Sequence, residues 1–207
     1  MHSFILEGRL VRLEPLAHCH AGELALAAAA SDEALYCWTQ VPRTSDDAKR
    51  YIDVAMAARE AGTAVCFAII RVTDGAVVGS TRFFNIERWS WPQGHPRREL
   101  APGDVCEIGY TWLSQSALRT GINTEAKLLM LTHAFEVWQM LGVCLHTDAR
   151  NLRSRAAIER IGGQLDGILR AHRMGADLTA RDSARYSFVA GDWAERKQIL
   201  LGLLNRG

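Results

Sequence analysis

The sequence lacks a long apolar segment. None of its 207 residues lies in an uninterrupted apolar run near the roughly 20 residues that a membrane-spanning helix needs. The longest candidate, residues 128–131, is bordered by Lys127, His133 and Glu136. The formal net charge is only +1, which argues against a protein that coats nucleic acid or an acidic membrane surface. With 48% hydrophobic and 23% charged residues, the chain has the composition of a globular domain.

Cysteine and lysine are both scarce. The five cysteines are Cys19, Cys37, Cys66, Cys106 and Cys144. They are scattered and odd in number, so we predict neither a disulfide framework nor a metal site. Residues 1–13 carry charges where a secretion signal is apolar, and we expect a cytoplasmic protein with reduced thiols. Of the 24 basic residues only three are lysine, and only a few of the arginines are expected to bind phosphate.

Apolar periodicity and turn residues predict seven strands and five helices. The strands are predicted over 8–13, 64–72, 76–86, 105–113, 143–147, 164–173 and 185–190. The helices are predicted over 17–30, 44–62, 121–140, 151–161 and 192–204. No repeat, low-complexity tract or linker interrupts this order. The sequence therefore predicts one mixed α/β domain over residues 1–207.

A long irregular loop is predicted over residues 89–103. It contains three prolines, two glycines and the paired Arg97 and Arg98. Long loops in compact domains are usually functional or disordered. Because Trp89 and Trp91 lie in it, we expect a functional loop at the mouth of a substrate site.

The segment from Val105 to Ala126 predicts a strand, a short turn and a helix. Arg119 offers a charged fork suited to phosphate oxygens. Gly121 lacks a Cβ and would allow main-chain N–H groups to approach a ligand, and Asn123 tolerates positive φ. A helix start of this kind forms an anion site for a pyrophosphate. Taken alone, the same residues also describe an ordinary helix cap, and the Walker and dinucleotide glycine patterns are both absent.

Three motifs in order give this chain its resemblance to a known family. Arg119-Thr120-Gly121-Ile122-Asn123 is similar to the acyl-CoA motif of the GNAT superfamily, although Asn123 replaces a usual glycine or alanine. Glu107-Ile108-Gly109-Tyr110 resembles the central strand of that superfamily. Asn151-Leu152-Arg153-Ser154 and the opening residues 6–13 resemble its RimJ/RimL branch. The resemblance covers nearly the whole chain.

The resemblance implies a mostly antiparallel sheet of about seven strands whose central strands splay to admit coenzyme A. It implies acetyl transfer from acetyl-CoA to a primary amine, on a protein N-terminus or a small molecule, in a ternary complex. Carried over by position, the residues implied to bind the cofactor are Thr111, Trp112, Leu113, Arg119, Thr120, Gly121, Ile122, Asn123, Thr124 and Asn151. Glu107 is implied as the base, Ser154 as the proton donor to the thiolate, and Tyr110 as a catalytic or acceptor-site residue.

Each assignment has a competing interpretation. Glu107 fits equally well as a strand glutamate paired with an arginine. Ser154 also fits the interpretation that its side chain caps a helix. Tyr110 is expected on the sheet face opposite Glu107 unless a bulge intervenes. His146 and Asp148 suggest a catalytic dyad, but the sequence has no nucleophile elbow to complete it.

The function also has alternatives. The chain fits a non-catalytic acyl-CoA-binding protein on the same fold, or an acyltransferase with a longer donor such as succinyl-CoA. The resemblance implies a homodimer. No nucleic-acid or membrane partner is predicted.

Overall fold

Within residues 4–100 and 102–206, which the computed structural model describes, eight strands form one sheet in the order β1-β2-β3-β4-β5-β6-β8-β7. The strands are β1 (Leu6–Glu7), β2 (Val11–Pro15), β3 (Ala64–Arg71), β4 (Val77–Glu87), β5 (Val105–Leu113), β6 (Gly142–Asp148), β7 (Gln164–Met174) and β8 (Ala180–Val189). The helices are α1 (Ala21–Ala29), α2 (Ser45–Glu60), α3 (Ile122–Thr132), α4 (Leu152–Arg160) and α5 (Trp193–Leu204). Neighbouring strands are antiparallel except β5 and β6, which run parallel.

Local sequence signals account for most of these boundaries. The hydroxyl of Thr44 accepts a hydrogen bond from the Asp47 amide and caps α2, which ends shortly before Gly62 with its φ of +71°. The predicted helix over 121–140 is α-helical only to Thr132 and continues as a π-helical turn over His133–Val137. The fold class and the splayed central strands are as predicted.

Both faces of the central strands are buried. On one face Phe67, Ile108 and Leu131 belong to a core that lies against α3 and α5. On the other face Ile52 and Trp112 belong to a second core under α1 and α2. Burial on both sides explains why β3 is a continuous apolar run rather than an alternating one.

The eighth strand is β1, which lies ahead of the predicted strand over 8–13; that predicted strand is observed as β2 and begins only at Val11. The Gly8 amide donates to the Val11 carbonyl and turns the chain between β1 and β2. The Glu125 carboxylate of α3 accepts the amides of Arg9 and Val11. A Cβ on Gly8 would lie 2.5 Å from a Glu125 carboxylate oxygen, so this contact requires glycine. At the other end of the chain, β8 begins at Ala180, earlier than the predicted 185.

No helix in the part of the chain that the structure describes has the length and apolar character needed to cross a bilayer.

Candidate active site

A gap opens between the two parallel central strands. β5 and β6 pair only from Val105 with Gly142 to Glu107 with Cys144. Beyond that point β5 runs on to Leu113 and β6 to Asp148 without pairing to each other. The two strands therefore diverge, and each presents an unpaired edge to the space between them.

A bulge in β5 lies at the opening of this gap. Arg82 of β4 pairs with Gly109, whereas Ser80 pairs with Trp112, so β5 carries one extra residue. Tyr110 adopts a φ of +50°, a conformation that non-glycine residues rarely take. The extra residue reverses side-chain alternation: Ile108 faces the α3 core, and Trp112 faces the α2 core. Tyr110 is half exposed and packs edge-on against Phe84.

Glu107 is buried and surrounded by polar side chains on the face of α1 and α2. Arg173 of β7 donates to both carboxylate oxygens, at 3.0 and 2.6 Å, and the Asn85 side-chain amide donates at 3.0 Å. Burial raises the pKa of this carboxyl, while the contacts with His146 and Arg173 lower it, and the net direction is downward. Glu107 is therefore an ionised, oriented carboxylate. The arginine pairing that we considered for it is present, and its role as a base stays a prediction.

His146 of β6 lies beside Glu107, with Nδ1 3.0 Å from a carboxylate oxygen. Neither ring nitrogen has a well-aligned hydrogen bond to any described residue. The ring packs at 4.8 Å from that of His172. Sequence reasoning considered His146 only as part of a hydrolase dyad and did not associate it with Glu107. Because Cys144 pairs with Glu107, alternation along β6 places His146 on the side of Glu107, and this placement follows only once the strand register is known.

The cysteines near this group are not activated. Burial raises the pKa of Cys144 to about 12, and the pKa of Cys106 rises further for the same reason. Side-chain donor atoms of Glu107, Cys144 and His146 lie within 4.8 Å of one another, a distance compatible with metal binding. However, Arg173 already occupies both oxygens of Glu107 and places a positive charge beside the cluster.

A buried lysine connects α3 to the bulge. Nζ of Lys127 lies 2.8 Å from the Thr111 hydroxyl and 3.4 Å from that of Thr81 on the facing strand. Burial lowers the pKa of Lys127 to about 7. Lys127 thus connects α3, which follows the predicted phosphate loop, to both strands at the bulge, β4 through Thr81 and β5 through Thr111.

The predicted phosphate loop lies at the N-terminus of α3. Arg119, not Asn123, adopts the left-handed conformation, with a φ of +59°. Thr120 accepts the Ile122 amide, and Asn123 lies within the first turn of α3. A Cβ on Gly121 would lie 2.5 Å from Leu10 Cδ1, so any larger residue here would displace the Leu10 side chain.

A basic cavity of about 670 Å³ adjoins this helix start. Predicted loop residues on its wall are Arg119, Thr120, Gly121, Ile122 and Thr124. The arginines that line it are Arg9, Arg71, Arg119, Arg160 and Arg206. Arg160 donates to the Thr124 hydroxyl at 3.0 Å. Several guanidinium groups around a helix N-terminus form a site for a polyanion.

Asn151 and Ser154 lie together at the start of α4. Asn151 Oδ1 accepts the Ser154 amide at 3.0 Å and caps the helix. The interpretation of Ser154 as the helix cap is therefore wrong, because the cap of α4 is Asn151. The predicted roles of the Asn151 amide and the Ser154 hydroxyl toward coenzyme A stay predictions.

The two residues at the end of β5 have structural partners. Trp112 is buried edge-on against Tyr36, and the Tyr36 hydroxyl donates to the Leu113 carbonyl at 3.0 Å. This carbonyl is therefore already engaged. The main-chain contacts to coenzyme A predicted for Thr111, Trp112 and Leu113 stay predictions.

The loop over 89–103 is folded around Asp104. This buried carboxylate accepts the Trp89 amide, the Trp91 indole and the Arg97 guanidinium. Arg97 also donates to the Gln139 carbonyl before β6. The loop thus lies at the end where β5 and β6 are paired. Trp89 remains half exposed there, and its predicted contact with the acceptor stays a prediction.

Splayed parallel strands, a bulge at their opening and an arginine-lined cavity at the next helix start suit a group-transfer enzyme with a nucleotide co-substrate. The chain belongs to the GNAT acetyltransferase family, since residues 10–164 match the profile of the Acetyltransferase (GNAT) domain. The predictions of a GNAT fold and of an N-acetyltransferase are confirmed. No curated protein sequence matches the chain.

Solved structures share the fold over nearly the whole chain. A GCN5-related N-acetyltransferase from Brucella melitensis superposes with a TM-score of 0.84 at 28% identity, covering 99% of this chain and 86% of that one. Mycobacterium smegmatis RimJ, in complex with CoA-disulfide, gives 0.76 at 20% identity, with coverage of 97% and 93%. The ribosomal-protein-S5-alanine acetyltransferase from Vibrio fischeri gives 0.69 at 15% identity, with coverage of 92% and 98%.

Proposed function

We propose that this protein transfers an acetyl group from acetyl-CoA directly to a primary amine while both substrates are bound. The observation that carries this proposal is the gap between β5 and β6, which opens immediately beyond Glu107 and is bordered by the bulge at Tyr110. An extended pantetheine chain fits such a gap because it can hydrogen-bond to both free strand edges.

The basic cavity at the start of α3 supports the nucleotide end of this proposal. Its arginines and the first-turn amides of α3 would hold the pyrophosphate and neighbouring phosphates. Asn151, at the N-terminus of the next helix, would contact the pantetheine arm. A bulge leaves its extra residue unpaired, and an amide near Tyr110 or Thr111 would polarise the thioester carbonyl.

The acceptor amine must be neutral to attack. A protein α-amine with a pKa near 7.8 is uncharged in about one molecule in seven at pH 7, whereas a lysine amine near 10.4 is uncharged in about one in 2,500. Attack forms the C–N bond, and collapse of the intermediate breaks the C–S bond. The amine proton passes through water to the pair of Glu107 and His146. The thiolate receives a proton from Ser154, which is reprotonated from water as the pair releases its proton to water.

An α-amine on a protein or peptide is the acceptor that we propose. It needs modest base assistance, and Glu107 is a weak base because Arg173 holds its pKa down. The name of the Vibrio fischeri neighbour, a ribosomal-protein acetyltransferase, points in the same direction. We further propose that the enzyme is a cytoplasmic homodimer, as the family resemblance implies.

Thiol release from acetyl-CoA with a panel of peptide and small-molecule amines tests the activity. We expect amine-dependent release of CoA and initial-velocity lines that intersect when both substrates are varied. Parallel lines would indicate a covalent acyl-enzyme and contradict direct transfer. Release no faster than in buffer, together with binding of acetyl-CoA, would favour the acyl-CoA-binding protein, and faster release from succinyl-CoA would favour a longer donor.

His146→Asn tests which member of the pair receives the proton. If His146 accepts the proton, the fall of kcat toward acidic pH should disappear in His146→Asn. The same fall should remain in Glu107→Gln, where kcat is lower at every pH. An unchanged acidic limb in His146→Asn would assign the proton to Glu107 alone.

A further inference from the structure

Arg82 of β4 is buried, and no counter-ion for it is found within residues 4–100 and 102–206. The residue is only 5% exposed, and its Nε has no hydrogen-bond partner in that part of the chain. Among the described side chains, no carboxylate pairs with its guanidinium, whereas Arg173 on the same sheet face is neutralised by Glu107. Burying a cation without a partner is costly, so an unpaired guanidinium in this position requires an explanation.

Two tyrosines hold the Arg82 guanidinium in place. Its central carbon lies 4.0 Å from the centre of the Tyr110 ring and 5.5 Å from that of Tyr51 on α2. Ring faces orient and partly stabilise a cation, but they accept no N–H hydrogen bond in the manner of a carboxylate. The group is thus positioned and still lacks its strongest class of partner.

The location of Arg82 excludes the phosphates of coenzyme A as that partner. Tyr51 belongs to α2, so Arg82 lies on the sheet face under α1 and α2. The helix start and basic cavity belong to α3, which covers the opposite face. Glu107 lies on the face of Arg82, since Arg82 pairs with Gly109 and Phe84 pairs with Glu107.

We propose that Arg82 binds a carboxylate of the acceptor, so that the preferred acceptor is an amine with a carboxylate a few bonds away. This inference rests on the proposed function and specifies its acceptor. Residues two apart on a strand are separated by about 7 Å. An amine beside Glu107 and a carboxylate at Arg82 match that spacing. Gly109 lies between them, and the Phe84 ring covers it so closely that a Cβ there would come within 2.8 Å of the ring.

Two sources offer this chemistry: a free amino acid, or an acidic side chain next to a peptide N-terminus. The test compares acceptors paired by the presence of the carboxylate, namely alanine against alaninamide, and peptides with Asp against Asn at the second position, with each rate divided by the fraction of uncharged amine because a nearby carboxylate raises the pKa of the amine. Each pair is measured as a ratio of kcat/KM in the wild type, in Arg82→Met and in Arg82→Lys. The matched control is Arg50→Met, which removes an exposed arginine from α2.

We expect the wild type to prefer the acid of at least one pair, and Arg82→Met to reduce that preference by about 10–100-fold. Arg82→Lys should keep part of the preference because it retains the charge and loses the planar fork. The pair that shows the preference identifies the source. Arg50→Met should keep the wild-type ratio.

Equal rates for acid and amide in the wild type would overturn the proposal without any variant. If folded Arg82→Met loses the same fraction of kcat/KM for the acid and for the amide of a pair, the proposal is also overturned. Arg82 would then have a structural role. Titration of the dipeptide Ala-Asp into CoA-bound protein separates this inference from the proposed function. Binding by the wild type that Arg82→Met loses supports the carboxylate site even where no acetyl transfer occurs.

Discussion

At the scale of single residues, Glu107 is a carboxylate held in one orientation beside the gap between β5 and β6. Its carboxylate is held by Arg173 and Asn85 and lies against His146, so both oxygens have fixed directions. Fixed orientation and a lowered pKa keep it charged at neutral pH. Such a carboxylate can receive a proton from the amine only through a partner residue or a water molecule that is equally well placed.

Glu107→Gln should lower kcat by at least about 100-fold, because it removes the charge and keeps the shape. The dissociation constant of acetyl-CoA should change less than about twofold, since Glu107 lies outside the basic cavity. Steady-state kinetics and calorimetric titration measure the two quantities. The matched control is Glu136→Gln, which removes a half-exposed carboxylate paired with Lys197. An unaltered kcat would remove Glu107 from the rate-limiting proton transfer.

Lys127 makes stability depend on pH. Below pH 7 its amine is charged in the folded and the unfolded chain, and the fold carries the full cost of burying that charge. Between about pH 7 and 10.5 the folded chain has released the proton and the unfolded chain has not. The free energy of unfolding therefore gains up to about 1.4 kcal/mol per pH unit from this group.

Lys127→Met should remove that gain. Urea unfolding at several pH values measures the free energy of unfolding of both proteins. The difference between the wild type and the variant should rise with pH between 7 and 10. Lys49→Met, which changes an exposed lysine on α2, is the control. Its free energy of unfolding should depend on pH as steeply as that of the wild type. A difference that is flat with pH would show that Lys127 is not deprotonated in the fold.

At the scale of elements, α3 joins the N-terminal hairpin to the phosphate loop. Glu125 lies in its first turn and accepts amides from the turn between β1 and β2. Gly121 and Leu10 pack directly against each other at the same place. The N-terminal turn thereby fixes the position of the helix start that lines the basic cavity.

Glu125→Gln should lower the free energy of unfolding by about 2–3 kcal/mol, because a charged acceptor is lost and a side-chain N–H₂ then faces amide donors. Urea denaturation measures this loss. Glu60→Gln, at an exposed position at the end of α2, should change stability by less than about 0.5 kcal/mol. Equal stability of Glu125→Gln and the wild type would show that the turn is held by packing alone.

Element by element, the sequence predicted the structure best where the signal is local. The strand over Val105–Leu113 has its predicted bounds, and α2 begins within one residue of its predicted start. The partners of Glu107 were not predictable, since Arg173 and Asn85 lie far from it in sequence and reach it through strand pairing. The bulge was also beyond prediction, because one extra residue leaves no change in composition or periodicity long enough to detect.

At the scale of the whole molecule, the two halves of the sheet are joined by a short parallel seam of three residue pairs. A ligand in the gap would add hydrogen bonds to strand edges that are otherwise unpaired. Binding of coenzyme A should therefore stabilise the entire fold through mass action.

Coenzyme A at 100 times its dissociation constant should raise the free energy of unfolding by about 2.7 kcal/mol. Raised salt should weaken the binding, since arginines provide much of the basic cavity. Thermal unfolding with and without ligand measures the first effect, and hydrogen exchange over residues 108–113 should slow at the same time. Absence of any shift at millimolar coenzyme A would contradict the proposed cofactor.

The bulge in β5 belongs to the site and not to the packing of the two cores. Ile108 faces α3 and Trp112 faces α2, although both are even-numbered. Deleting the extra residue would restore a regular ladder opposite β4 in which Ile108, Thr111 and Trp112 keep the faces that they have now. Such a deletion would leave the contact of Thr111 with Lys127 in place and would remove only Tyr110 and the irregular strand edge at the opening of the gap. The two cores would therefore accept a regular β5, whereas the proposed site would lose its border.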